Sequence, residues 1–292
     1  MQPVSRFAPS PTGRLHLGHA WSALLAHDFA RDSGGAFLLR IEDIDPGRAR
    51  PEHVDAILED LLWLGLEWDG EIVYQSERLP LYAEALDALK RQGLIYPCFC
   101  TRAEIAAEIA ASAQAPHGPA GAGAYPGTCR RMPAAEREKL VGERPHAWRL
   151  DVGKAAEKAG PLAWRDHDRE VRAEPALFGD VVLARKDAPA SYHLAVTLDD
   201  AAQGITDVVR GRDLFDSTHV HRLLQALLGL PTPAYHHHAL LADAGGRRLA
   251  KRDAAPSLAD LRAAGADPAA LAEALRANQI PAGYRVQTHC SV

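Results

Sequence analysis

Cysteine is scarce in this chain, four residues in 292, which excludes a disulfide scaffold at this length. An excess of basic charge is also missing: 33 Lys and Arg stand against 38 Asp and Glu, a net charge of −5. Bulk electrostatics therefore do not announce a nucleic-acid partner, which would need a local basic surface. No apolar run approaches the ~20 residues of a membrane span. The opening MQPVSRFAPS lacks the apolar core of a secretory signal. No membrane partner is expected, and a cytoplasmic location is. No internal repeat is evident. A hydrophobic content of 47% and a charged content of 24% suit one large domain, or a domain carrying an insertion.

A further absence shapes the reading of TGRLHLGH, residues 12–19. His16 and His19 have no carboxylate between them and stand three apart, whereas the zinc-protease pattern needs four with a glutamate inside. Gly18 suits a strand-to-helix turn better than a helix interior. Pro9 and Pro11 stiffen the loop before it, and Gly13 and Gly18 admit a ligand close to backbone. Two histidines at the mouth of a helix can donate hydrogen bonds to phosphate oxygens, helped by the helix N-terminus. A second candidate is RRLAKRD, residues 247–253. A lysine after a Gly-Gly turn can neutralise charge on a phosphoryl group in transit. Alone, each motif reads as readily as a structural histidine pair or a solvated basic face. Together, in this order across an α/β pattern, they point to phosphate chemistry on a nucleotide.

That pattern starts with VSRFA (4–8), a short strand. Trp21, Leu24, Leu25 and Phe29 then repeat with helical period, AFLLRI (36–41) has the form of a buried strand, and Val54 to Leu62 form a helical stripe from Pro51 to Gly65. Tyr82, Leu86 and Leu89 mark a further helix closed by Gly93. Strand and helix in alternation predict a doubly wound parallel α/β sheet of Rossmann type. Residues 97–177 break the rhythm and read as an inserted subdomain. The sheet is expected to resume with strands at 180–185, 192–196 and 205–210, followed by a helix from Val220 to Gly229. HHALLADAGGRRLAK reads as a hairpin with a Gly-Gly turn. The layout is therefore a first half over 1–96, the insertion, a second half over 178–252, and a short alanine-rich helical tail over 253–292.

RFAPSPTGRLHLGH resembles the first signature of class I aminoacyl-tRNA synthetases, in the form carried by the glutamyl branch. RRLAK stands where that class has its lysine-bearing second signature, and LLRIEDID, YHLAVTLDD and GITDVVRGRDL are also similar to glutamyl-type segments. The resemblance covers about residues 4–252. It implies ATP-dependent activation of L-glutamate to glutamyl-adenylate, with Mg2+ accompanying ATP. It assigns His16, Gly18, His19 and Lys251 to ATP, with His16, His19 and Lys251 in the catalytic role. Arg6, Phe7, Ala8, Pro9, Ser10, Glu42, Tyr192 and Arg210 fall on glutamate, Glu42 taking the ammonium group. Arg248 and Arg252 depart from the lysine and serine usual in the second signature.

Cys98, Cys100 and Cys129 supply three thiolates, one ligand short of a tetrahedral zinc site. On residue chemistry His117 is the usual fourth ligand. The resemblance implies Tyr125 instead, because YPGTC matches the Cys-x-Cys…Tyr-x-x-x-Cys arrangement of a shortened glutamyl-type group; one structural Zn2+ per chain is expected. YHHH (235–238) alternates in an expected strand, so its three histidines cannot all converge, and it reads as structural or near the nucleotide. For the shortened group, the resemblance implies transfer of glutamate to the queuosine base at the wobble position of tRNA(Asp). The few residues after Lys251, with Pro281 and Gly283 closing the last helical pattern, suggest no anticodon-binding domain, and a monomer is expected. The alternatives are an ordinary or truncated glutamyl-tRNA synthetase charging the 3′ end of tRNA(Glu), or a non-catalytic tRNA-binding relative.

Overall fold

Strand β1 (Val4–Phe7) leads through the proline loop into helix α1 (Leu17–Asp32), and β2 (Ala36–Ile41) returns parallel to β1, Val4 opposite Ala36. The computed structural model describes residues 2–113, 125–243, 256–281 and 283–287. Helix α2 (Pro51–Trp63) has Pro51 in its first turn, where the missing N–H has no helical partner to lose. Strand β3 (Val73–Tyr74) adds to β2 in parallel, and α3 (Leu79–Arg91) follows. Gly65 and Gly93 end α2 and α3 at φ +74 and +65, the left-handed backbone that glycine adopts without steric cost.

The next segment holds β4 (Ile95–Cys98), α4 (Arg102–Ala113), α5 (Thr128–Arg131), α6 (Ala134–Glu143), β5 (Ala147–Leu150) and α7 (Val152–Ala159). It continues with the antiparallel hairpin β6 (Ala163–Asp166) and β7 (Arg169–Arg172), then β8 (Val182–Ala184). Strands β4, β5 and β8 form an antiparallel sheet of their own. The expected strand at 180–185 therefore exists, but pairs here and not in the parallel sheet. YHLAV is corrected outright: residues 192–196 start helix α8 (Tyr192–Ala202). Leu194 through Asp200 are all buried, and a helix apolar on every side carries no 3.6-residue stripe to separate it from a buried strand.

After α8 come β9 (Asp207–Gly211), α9 (Ser217–Leu228), β10 (Ala234–His238) and β11 (Leu240–Asp243). Strand β10 runs parallel to β9 and to β6, so a strand of the inserted region joins the central sheet in the order β7-β6-β10-β9. This sheet is stitched to β1: Thr206 donates its backbone N–H to Val4 (3.0 Å), and Val4 donates to the Thr206 hydroxyl (2.8 Å). The α/β class stands, with mixed rather than purely parallel sheets.

The tail forms α10 (Leu258–Ala263), α11 (Pro268–Arg276) and β12 (Tyr284–Gln287). Strand β11 pairs with β12, antiparallel; the Gly-Gly turn and the other arm of the expected hairpin lie outside the described residues. Leu258, Ala272 and Leu275 join the core built from α1, β2 and α2. Arg262 reaches the buried Asp60 at 2.9 Å, and Arg276 reaches Asp28 at 2.7 Å. Burial raises the Asp60 carboxyl above its ordinary range although Arg262 pulls it down. Arg262→Ala should leave a buried carboxylate without its cation, lowering unfolding free energy by about 3 kcal/mol at neutral pH. In urea titrations the loss should shrink as pH falls, because a protonated Asp60 needs no counter-ion. An equal loss at every pH would contradict this account of the tail's attachment.

Candidate active site

One cleft of about 280 Å³ opens where β1, β2, β9 and β10 end, beside the start of α1. Ligands of open α/β sheets bind in this crevice, outside the carboxyl ends of strands where the chain changes direction across the sheet. Arg6, Phe7, Ala8, Pro9 and Ser10 line it, together with His16, Gly18, His19, Glu42, Tyr192 and Arg210. The structure thus brings together every nucleotide and glutamate candidate of the sequence except Lys251, which lies outside the described residues. Trp21, Ser22 and Asp213 also face the cleft and were not anticipated; His238, the last residue of YHHH, lines it as well.

The histidine pair is held by the helix that it starts. His16 is the N-cap of α1, and its Nδ1 accepts from Gly18 N at 3.1 Å; His19 Nδ1 accepts from His16 N at 3.2 Å. Each Nδ1 is an acceptor, so each neutral ring carries its proton on Nε2. The rings lie together with centroids 3.8 Å apart. A Cβ at position 18 would stand 3.0 Å from His16 Cε1, so a larger residue there would press on the capping ring.

Beneath the cleft, charges are buried in pairs. Arg6 Nε donates to Asp200 Oδ1 at 2.9 Å, and Arg40 Nη2 donates to the same oxygen at 2.9 Å. Arg40 also donates to Gln203 (2.7 Å) and lies 3.7 Å from Glu42. Asp199, one residue earlier, accepts from Gln75, Arg78 and Tyr82. The two arginines hold the Asp200 carboxyl below its ordinary range despite its burial. Burial pushes Glu42 the other way, up to about 7, against the pull of Arg40 and Arg6. Asp199, Asp200 and Arg40 escaped the sequence reading. Two adjacent acids inside the apolar run YHLAVTLDD were the available signal, because buried acids need partners.

Arg210 differs from Arg6. Its Nε donates to His237 (3.1 Å), and its Nη atoms donate to Tyr192 Oη (3.3 Å), Leu214 O (3.1 Å) and Thr218 Oγ1 (2.7 Å). His221 Nδ1 lies 3.5 Å away, and His193 Nδ1 lies 3.2 Å from His221 Nε2. Burial, reinforced by the arginine's charge, holds both of these histidines well down in pKa, His193 at about 4, so both are neutral. Among the described residues no carboxylate pairs with Arg210. A buried cation surrounded by neutral acceptors leaves positive potential in the cleft for an anion.

In the inserted segment, Cys98, Cys100 and Cys129 bring their sulfurs within 4.8 Å of one another. Tyr125 Oη is 3.5 Å from both Cys98 Sγ and Cys100 Sγ, and Cys100 Sγ is 3.4 Å from Cys129 Sγ. A tetrahedral Zn2+ with Zn–S of about 2.3 Å and Zn–O of about 2.0 Å needs ligand edges of about 3.5–3.8 Å. Burial pushes the Cys100 thiol up to about 12, a cost that a bound cation reverses. The cluster can hold a metal ion. His117 lies outside the described residues.

Residues 3–285 match the family of tRNA synthetases class I (E and Q), catalytic domain. A protein named glutamyl-Q tRNA(Asp) synthetase from Rhodobacter capsulatus is 52% identical over 274 residues, spanning 91% of this chain and 97% of that one. A protein of the same name from Nocardia farcinica is 48% identical over 266 residues, spanning 91% and 81%. A solved glutamate tRNA ligase from Elizabethkingia meningosepticum, crystallised with its amino acid, is similar with a TM-score of 0.71 and 31% identity. That match covers 87% of this chain and 52% of the ligase, so the chain spans about half the ligase's length.

Proposed function

We propose that this chain, which belongs to the class I tRNA synthetases (E and Q) by its catalytic domain, activates L-glutamate with ATP and transfers it to the queuosine base at the wobble position of tRNA(Asp). The observation that carries this reading is the charge layout of one cleft. A histidine pair at a helix start, a carboxylate, and a buried arginine that no carboxylate among the described residues neutralises face the same space. These are the complements of a nucleotide phosphate, an ammonium group and an acidic side chain.

Arg210 and Tyr192 take the side-chain carboxylate, and Arg6, fixed from behind by Asp200, adds the edge of its guanidinium that Asp200 leaves open. Glu42 takes the α-ammonium. The α-carboxylate is then left to attack the α-phosphorus of ATP, giving glutamyl-adenylate as pyrophosphate departs. The Nε2–H groups of His16 and His19 hold phosphate oxygens, and Phe7 to Ser10 form the wall of the loop. Mg2+ enters with ATP. Lys251 is assigned the charge that develops on the α-phosphate by its place in RRLAK alone. Glutamine would leave Arg210 without an anion, and an unpaired buried charge costs about 2–5 kcal/mol. Activation needs no RNA group, since the cleft holds both recognition elements itself.

The acceptor follows the relatives named glutamyl-Q tRNA(Asp) synthetase, one of which this chain spans almost completely. The second reading, charging the 3′ end of tRNA(Glu), draws on the likeness to the glutamate tRNA ligase. Zn2+ is assigned to Cys98, Cys100, Cys129 and Tyr125. A closed four-ligand site holds a fold together and leaves no position for a catalytic water. The layout of two catalytic halves around residues 97–177 is part of the same proposal.

Incubation with labelled glutamate, ATP and tRNA decides the acceptor. Label should appear on queuosine-containing tRNA(Asp), and not on the same tRNA lacking queuosine. Label on the 3′-terminal ribose of tRNA(Glu) alone would establish the second reading instead. Protein purified without chelator should hold one zinc per chain by elemental analysis, and Tyr125→Phe should lose it to a chelator about 10–100-fold faster. Unchanged retention would pass the fourth position to His117. Glu42 makes glutamate recognition pH-dependent: below about 7 its carboxyl is protonated and cannot pair with the ammonium group. The KM for glutamate should therefore climb by about tenfold per pH unit below 7, and Glu42→Gln should hold a high KM with little pH dependence.

A further inference from the structure

Strand β6 of the inserted segment ends at Asp166, beside Tyr235 of β10. From there Asp166 Oδ1 accepts from the backbone N–H of His237 at 3.2 Å and from its ring Nδ1 at 2.9 Å. With the proton on Nδ1, His237 Nε2 is an acceptor, and Arg210 Nε donates to it at 3.1 Å. The side chain is only 1% exposed, and burial holds it neutral down to about 4 although Asp166 favours its charged form. The other tautomer would turn an N–H toward the N–H of the guanidinium. The tautomer matters.

A carboxylate bonded directly to Arg210 would cancel the charge that the substrate has to meet. Asp166 reaches the guanidinium through an imidazole, so it aims Arg210 without neutralising it. The contrast lies in the same cleft, where Asp200 touches Arg6 and takes up its charge.

We propose that Asp166 and His237 are positioning residues that hold Arg210 oriented and cationic, and so set the preference for an acidic side chain over its amide. The inference rests on the reading of Arg210 as the group that receives glutamate's side-chain carboxylate. It makes amino-acid specificity depend on a strand of the inserted segment.

The test is ATP–pyrophosphate exchange by the full zinc-loaded chain, across concentration series of glutamate and glutamine. The unmutated chain comes first: exchange with neither amino acid, or equally with both, overturns the underlying reading itself. Given glutamate-dependent exchange, Asp166→Ala and His237→Ala should each raise the glutamate KM by about tenfold or more, with kcat within about threefold. His237→Gln puts a carbonyl oxygen near the place of Nε2 and should recover most of the affinity. His237→Asn mimics only the Nδ1 position and should not. Adding Asp166→Ala to His237→Gln should cost little further, because glutamine has no ring tautomer to fix. A role confined to stability would lower the melting temperature, make the two losses add, and treat Gln and Asn alike. If Asp166→Ala does not fold, the contrast between His237→Gln and His237→Asn decides alone. Equal KM values for these two variants overturn the inference, as does an Asp166→Ala loss that is the same size with His237 or Gln at position 237.

Discussion

Asp200 accepts hydrogen bonds from Arg6 and Arg40 where water scarcely reaches, and the placement of the cleft depends on this. Arg6 belongs to β1, Arg40 to β2 and Asp200 to α8, so one carboxylate ties two strands to a helix far along the chain. Taking three ions out of water is costly, and mutual pairing offsets that cost although Arg40 Nε, 3.9 Å from Asp199, has no hydrogen-bond partner among the described residues. Asp199 continues the anchoring through Gln75, Arg78 and Tyr82. With α8 fixed on this side, Tyr192 at its first turn has one position, against Arg210. The cleft is preorganised by charge pairs that join Arg6 of its lining to Asp200 and Arg40 beneath it.

The two arginines of the cleft then play unequal parts. Among the described residues Arg6 is compensated by a carboxylate and Arg210 is not, and the difference lies in what stands behind each: an aspartate in one case, imidazoles and hydroxyls in the other. The histidines are fitted for this because burial keeps them neutral while they still accept hydrogen bonds. On the proposed reading, an amino acid with two carboxylates and one ammonium calls for such an imbalance, and the groups behind each arginine supply it without adding cations.

Much of this was legible in the residues. Periodicity placed β1, α1, β2, α2 and α3, and Pro51, Gly65 and Gly93 marked helix ends where they occur. The signature around His16 and the matching segments gathered eleven residues that share one cleft. What stayed hidden depended on partners distant in sequence. Leu194 to Asp200 of α8 are buried one after another, so their pattern could not distinguish helix from strand. The pairing of β11 with β12 and of β6 with β10 is a matter of register between separated segments, to which local propensity is blind. Arg40 and Asp200 read as ordinary charges until the fold places them together.

The caps of α1 have a consequence for how a nucleotide is released. His16 and His19 each use Nδ1 to hold the start of the helix, so a second proton on either ring would break the bond that positions it. On the proposed reading the pair, with its protons on Nε2, meets phosphate by directed N–H bonds instead of by ion pairing. Such a grip is short-ranged: it weakens steeply once donor and acceptor part, where an ion pair would still pull across several ångströms. Phosphate is held firmly in register and, once displaced, meets little long-range attraction back from these two side chains. Firm alignment and easy departure come from the same fixed tautomer.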